Sequence, residues 1–177
     1  ENRLAQLCAA GPRAGAGAVP GAGGGNLGAA LASLVELRLG GNRLRALPAS
    51  LCGLSQLEIL DASHNALVGL PERVGALQKL RVLRAAHNRI ASLPRTLGDC
   101  GALAELELGH NALGSAGALP EGLLAGALGR ALVALDASYN QLDALPPFPA
   151  AGAGGAASLD RLALGFNRIR AFNDAAA

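Results

Sequence analysis

Apolar and polar positions recur along this chain in one frame, and an asparagine marks the same place in each copy. The frame reads L-x-x-L-x-L-x-x-N-x-L, with Ala or Ile at some of the Leu positions, and it occurs six times. The first four asparagines are 23 residues apart, and the last two follow after 29 and 27 residues. The six are Asn42, Asn65, Asn88, Asn111, Asn140 and Asn167. A repeat of this length and pattern indicates stacked structural units rather than a single globular core.

Each copy of the frame predicts a short strand followed by a turn. The alternating L-x-x-L-x-L portion has the period of a strand, and the return segment L-P-x-x-L predicts a helical turn after Pro48, Pro71 and Pro94. Strands of successive copies then pair in parallel. The predicted fold class is therefore α/β: a leucine-rich-repeat solenoid, a right-handed curved superhelix with a parallel sheet on its concave face and short helical or irregular convex segments.

The frame also divides the chain into repeats. We expect them at 34–56, 57–79, 80–102, 103–131, 132–158 and 159–177, the last being partial. Residues 1–33 read as a partial repeat that carries a Gly/Ala-rich insertion at 11–25. The chain starts and stops inside copies of the frame, which leads us to expect a piece of a longer protein. The additions in the fourth and fifth repeats follow the Asn turn, so the strand positions keep their register.

Composition limits the function classes. The formal net charge of +2 and the absence of a long apolar run give no argument for a nucleic-acid surface or a membrane span. The three cysteines form no C-x-x-C pair, and no N-x-S/T acceptor occurs, which favours an intracellular, cytoplasmic setting. Cys100 takes a position held by leucine in earlier repeats, so we expect it in the core. No cofactor or metal is expected.

The recurring asparagines are expected to be structural. An amide side chain both donates and accepts, so a column of them can satisfy backbone groups at the stacked turns. Removing one would leave buried partners unpaired, at about 1–3 kcal/mol.

The outward strand positions form two columns on the predicted concave face. One reads Arg38, Asp61, Arg84, Glu107, Asp136 and Ala163, and the other reads Glu36, Ile59, Val82, Glu105, Ala134 and Arg161. Parallel neighbours lie about 4.8 Å apart, so the alternating charges of the first column predict either a ladder of ion pairs or a polar docking strip. Ile59 and Val82 are expected to be exposed apolar residues, which suits a contact surface.

The position before each asparagine holds Gly41 and then five rings. The rings are His64, His87, His110, Tyr139 and Phe166. Three interpretations stay open: rings that cover the turn, a strip of anchors for a partner, and a zinc site, for which three histidines in line are a poor arrangement. Binding by the strip would depend on pH near 6.5.

Catalysis by this segment is not expected. Asp61, Ser63 and His64 supply the residue types of a catalytic triad, but they lie within four positions of one strand and its turn. No nucleophile elbow or oxyanion loop accompanies them.

The 23-residue repeat resembles that of the intracellular Ras-group leucine-rich-repeat proteins, which include the Scribble-type scaffolds. The resemblance covers about 34–111 closely and 112–172 with insertions. It implies a protein-binding platform in intracellular signalling or scaffolding, monomeric as an isolated segment. A regulatory segment of a larger signalling enzyme and a structural subunit of a large assembly are the alternatives. The expected contact residues are Glu36, Arg38, Ile59, Asp61, His64, Val82, Arg84, His87, Glu105, Glu107, His110, Asp136, Tyr139, Arg161 and Phe166.

Overall fold

The structure of the chain is a computed structural model that describes residues 31–114, 118–124, 126–144 and 158–170. The partial repeat predicted at 1–33, apart from its last three residues, and its insertion at 11–25 lie outside the described residues. So does most of the insertion predicted in the fifth repeat.

Six three-residue strands form one parallel sheet in sequence order. They are β1 Glu36–Arg38, β2 Ile59–Asp61, β3 Val82–Arg84, β4 Glu105–Glu107, β5 Ala134–Asp136 and β6 Arg161–Ala163. The register places equivalent frame positions opposite each other, so Leu37 faces Leu60 and Leu60 faces Leu83. The same register continues through the longer repeats to β6. The predicted solenoid, with its parallel sheet, is confirmed.

Short helices run along the other side of the solenoid. They are the 3-10 helices η1 Ala49–Gly53, η2 Val74–Ala76, η3 Arg95–Asp99 and η4 Glu121–Leu124, and the α-helix α1 Gly126–Ala131. The carbonyls of Pro48, Pro71 and Pro94 accept the first hydrogen bond of their turns at 3.0 Å. A proline fits there because its missing N–H would have no helical partner. The added residues of the fourth repeat build α1, which packs against η3 and η4.

Leucines stacked between the sheet and the helices form the core. Leu57, Leu80 and Leu103 have no exposed surface, and neither do the smaller Ala62 and Ala85 of the third inward position. Since burying one leucine contributes about 1.5–3 kcal/mol, each repeat gains its stability from the repeats beside it. Inward residues of the first and last described repeats, including Leu34, Leu37 and Leu162, are only partly buried.

Cys100 lies in this core, as its position in the frame predicts. The residue is fully buried, and its thiol donates to the carbonyl oxygen of Val74 at 3.5 Å. Burial, assisted by the charge of Asp99, raises the pKa of the thiol to about 11. The group is therefore a thiol rather than a reactive thiolate at neutral pH.

Candidate functional site

The outward residues of the sheet are more covered than the sequence suggests. Ile59 and Val82 are half-buried, so the expectation that they are exposed apolar residues is wrong. The reason is that each lies between two parallel strands whose side chains stand directly beside it. Their remaining exposed surface still contributes apolar contact area to this face.

Arg84 is the centre of the charged cluster on the sheet. Its Nε donates to Glu107 Oε1 at 3.1 Å, and its Nη2 lies 3.7 Å from Glu105 Oε2. All three side chains are about two-fifths exposed. The hydrogen bond with Glu107, followed by the charges of Glu107, Glu105 and Asp61, raises the pKa of Arg84. An exposed pair of this kind contributes about 0.2–1 kcal/mol to stability.

The alternating charges do not form a continuous ladder in the part of the chain that the structure describes. Arg38 pairs with Glu36 of its own strand, and Asp61 Oδ1 accepts the backbone N–H of Ser63 at 2.9 Å. Within this column, Arg84–Glu107 is the one pair that joins two described strands. The Asp61 carboxylate instead bonds to the adjoining turn, while its charge still acts on Arg84.

Asp136 makes the same turn contact one strand from the end of the sheet. Its Oδ1 accepts from the backbone N–H of Ser138 at 2.8 Å and from the Ser138 hydroxyl at 2.6 Å. Both aspartates belong to an Asp-Ala-Ser sequence, at 61–63 and 136–138. This spacing is a signal for an Asx turn, and sequence reasoning overlooked it.

The two outward columns become acidic in the middle of the sheet. Between β2 and β5 they contain four carboxylates and one guanidinium. These charged residues are Asp61, Arg84, Glu105, Glu107 and Asp136. Because Arg84 already has acidic partners, the remaining negative potential of this face faces solvent.

The asparagines from Asn65 to Asn167 each connect two repeats through the side-chain amide. Asn88 Nδ2 donates to the carbonyl oxygens of Ala62, Ala85 and Ala86 at 3.0–3.2 Å. Its Oδ1 accepts the N–H of Leu67 at 2.9 Å. One side chain thus satisfies four backbone groups of its own and the preceding repeat.

The other asparagines repeat this arrangement. Asn65, Asn111 and Asn140 each donate to three carbonyls and accept one N–H. Asn167 donates to two carbonyls and accepts the N–H of Leu142, and Asn42 donates to two carbonyls of its own turn. Asn140 is the one buried polar or charged residue within the described part of the chain.

The residue before each asparagine has a left-handed backbone. Its φ is +70° at Gly41 and between +52° and +57° at the five ring positions. Few residues other than glycine adopt this conformation without cost, and the glycine of the first repeat is the sequence signal that could have revealed it. Equal backbone geometry in successive repeats directs the five side chains along parallel lines.

The five rings form one continuous stack along the edge of the sheet. The ring column comprises His64, His87, His110, Tyr139 and Phe166, with centroids 4.1–4.2 Å apart and planes within 10–12° of parallel. The rings are exposed, Tyr139 by 44% and Phe166 by 74%. Offset stacks of this kind contribute about 0.5–1.5 kcal/mol per pair.

The stack also determines what the imidazoles can do. Loss of hydration between its neighbours, together with the charges that His110 and His64 can carry, lowers the pKa of His87. Ring nitrogens hold their lone pairs in the ring plane, so nitrogens of stacked rings point side by side and do not converge on one metal ion. Among the described residues, no group of three or more His, Cys, Asp or Glu is arranged to hold a metal.

The residue types of a triad have other partners. Asp61 bonds to the backbone of Ser63, and the ring of His64 stacks on His87. A nucleophile and its base need a direct hydrogen bond, whereas the Asp61 carboxylate bonds to a backbone N–H and the contact of His64 is a ring stack. Within the described residues no helix is both long and apolar enough to cross a bilayer.

Comparison with known proteins places the chain among leucine-rich-repeat structures. It is similar to the ectodomain of the Arabidopsis thaliana membrane receptor kinase GASSHO1/SCHENGEN3 in complex with CASPARIAN STRIP INTEGRITY FACTOR 2, at 31% identity and a TM-score of 0.63. The match covers 77% of this chain and 16% of that one. No family model and no curated protein sequence matches the chain.

Two further leucine-rich-repeat structures are similar to the chain. The ectodomain of the Arabidopsis receptor kinase HAESA, bound to an extended IDA peptide hormone, is 29% identical with a TM-score of 0.63, and the match covers 80% of this chain and 23% of that one. A leucine-rich-repeat protein of Leptospira interrogans is 25% identical with a TM-score of 0.54, over 78% and 45% of the two chains. This chain therefore spans less than half the length of each of these proteins. It has the leucine-rich-repeat fold, which in these receptors forms a ligand-binding ectodomain.

Proposed function

We propose that the chain is a protein-recognition module that binds a segment of a partner protein across the outward face of its sheet. The observation that carries the proposal is the combination of partly exposed Ile59 and Val82 with the carboxylates of Glu105, Glu107 and Asp136 beside them. A surface with apolar contacts and an excess of negative charge fits a partner segment with apolar and basic side chains. The remaining candidate contact residues, from Glu36 to Phe166, surround this centre.

Two of the similar structures support a ligand-binding role for this fold. They are receptor ectodomains in complex with a peptide hormone or a named factor. The backbone of a repeat sheet is rigid, so little of the binding free energy is spent on ordering the receptor.

The proposed setting is intracellular signalling or scaffolding. Cys52 and Cys100 are buried free thiols. Free thiols are typical of proteins in a reducing intracellular compartment. The Ras-group form of the 23-residue repeat supports the same setting.

A second candidate is a ligand-binding segment of a larger signalling enzyme. It is favoured by the similarity to ectodomains of receptor kinases. The sequence that flanks this segment in the gene discriminates between the two, since a kinase or other catalytic domain beside the repeats supports the second candidate.

Affinity capture with paired variants tests the proposed face. The 177-residue chain would be immobilised and exposed to extract of the source cells, beside the variant Ile59→Ser/Val82→Ser. The matched control is Val68→Ser, which removes an apolar side chain that is 63% exposed and lies off the sheet. Circular dichroism would verify that all three are folded.

We expect to capture proteins that bind the wild type and the Val68→Ser control but do not bind the sheet variant Ile59→Ser/Val82→Ser. Losing two apolar contacts at the centre of an interface weakens binding by about tenfold or more. A partner that binds all three proteins equally would move the binding site away from the sheet.

A further inference from the structure

The ring column ends at the first repeat on a glycine. Gly41 keeps the left-handed backbone, and its N–H donates to the carbonyl oxygen of Ser63 at 3.0 Å. His64 makes the equivalent bond to Ala86 at 2.9 Å. The first repeat therefore has the same turn as the others and differs in having no ring.

The space beside Gly41 is open in the part of the chain that the structure describes. A Cβ atom placed on Gly41 would have no described atom within 4 Å. His64 is exposed, and among the described residues its one ring contact is the stack on His87. The opposite face of His64 therefore lies over a glycine, at the position where the column would hold another ring.

The charges around this position favour one kind of ligand. The first repeat contains one carboxylate, Glu36, which pairs with Arg38. Arg43 and Arg45 follow directly after the turn and are exposed. Three arginines, the third being Arg38, therefore stand against two carboxylates, Glu36 and Asp61, whose oxygens lie 3.5 Å from a Cβ placed on Gly40. The net charge here is positive, in contrast to the acidic middle of the sheet, so it favours carboxylates over a guanidinium.

We propose that the open face of His64 above Gly41 binds an aromatic side chain of a partner protein, with acidic residues of the same partner beside the arginines of the first repeat. The partner's ring continues the existing stack at its 4.2 Å spacing. This inference adds the chemistry of the partner to the proposed function and relies on that function for the partner being a protein.

Histidine ring signals in NMR spectra provide the test. The probe is the peptide N-acetyl-Asp-Tyr-Glu-amide, added to the 177-residue chain. In the apolar control peptide leucine replaces the tyrosine, and in the planar cationic control peptide arginine replaces it. We expect ring-current shifts of the His64 ring signals with the Tyr peptide and with neither control peptide. The His110 ring signals should shift much less.

Two substitutions at Gly41 form a matched pair. Gly41→His fills the position with a ring, which the left-handed backbone accepts at His64, His87 and His110. Gly41→Asn tolerates the same backbone without a ring. We expect Gly41→His to weaken binding of the Tyr peptide by about 2- to 12-fold or more, the worth of one aromatic pair, and Gly41→Asn to retain it.

Several results would overturn the inference. They are shifts at Phe166 instead of His64, equal shifts with the Leu or Arg peptide, no shift up to the solubility limit, or unchanged binding by Gly41→His. The sheet variant Ile59→Ser/Val82→Ser should bind the Tyr peptide normally. Loss of captured proteins by that variant together with a failed peptide titration would reject the ring site and leave the proposed function standing.

Discussion

Two neighbouring columns of this solenoid share one period and have opposite roles. The asparagine column keeps one residue type in all six repeats, and from Asn65 onward its side chains bond to the backbone of two repeats. The ring column, one residue earlier, changes from glycine to histidine, tyrosine and phenylalanine, and faces solvent. Of these two columns, the one whose polar side-chain atoms meet fixed backbone partners keeps one residue type, and the one that meets solvent varies.

The largest effect should come from removing an asparagine. We expect Asn88→Ala to lower the free energy of unfolding by about 3 kcal/mol, because the N–H of Leu67 loses its acceptor and three carbonyls each lose one of two donors. His87→Ala, in the next column, removes two exposed stacking contacts and should cost about 1 kcal/mol, the low end of the range for two such pairs. Urea unfolding of both variants measures the gap, and equal losses would contradict the division of roles.

A smaller effect should distinguish the energy of ring stacking from the strain of the left-handed backbone. His87 has a φ of +55°, which costs an alanine about 1 kcal/mol relative to a glycine. We expect His87→Gly to be more stable than His87→Ala by about 0.5–1 kcal/mol, although both lack the ring. The same urea experiment reports the difference, and an alanine variant as stable as the glycine variant would show that the turn is not strained.

The smallest effect should be a pH dependence confined to the ring column. The pKa of His87 in the folded chain lies below its ordinary value of 6.5. The unfolded chain therefore takes up the proton first, so the contribution of His87 to stability is present above pH 6.5 and is lost as the pH falls below it.

Unfolding midpoints at pH about 8 and about 5.5 measure this dependence. The control is His64→Gln/His87→Gln/His110→Gln, which removes the titrating groups of the column. We expect the wild type to lose more stability on acidification than the control. An equal loss in both proteins would assign the effect to carboxylates elsewhere.

The sequence predicted the fold because its signal is repeated. Each leucine frame specifies the same local structure, and six copies in phase leave one arrangement of strands, which the pairing of Leu37, Leu60 and Leu83 shows. The turns after the prolines followed from the missing N–H. The α-helix Gly126–Ala131 could not be placed, because the longer fourth repeat departs from the frame.

The site was less predictable, because its details depend on side-chain reach. The pattern placed Asp61 between two arginines, yet its short side chain bonds to Ser63. The pattern named Ile59 as exposed, yet neighbouring strands cover half of it. The ring column was visible as a list of residues, whereas its stacking required the left-handed backbone that only the structure shows.

The most direct test of the proposed binding face is a charge swap that preserves the fold. Arg84→Glu/Glu107→Arg keeps an ion pair between the same two strands and reverses the pattern that a partner meets. The affinity of this variant for a captured partner would be measured beside the wild type, with unfolding curves to verify that the variant is folded. We predict a loss of binding and a loss of stability of no more than about 1 kcal/mol, because the swap gives up the contact between Arg84 and Glu105. Unchanged binding would show that these charges serve only the sheet and would contradict recognition through this face.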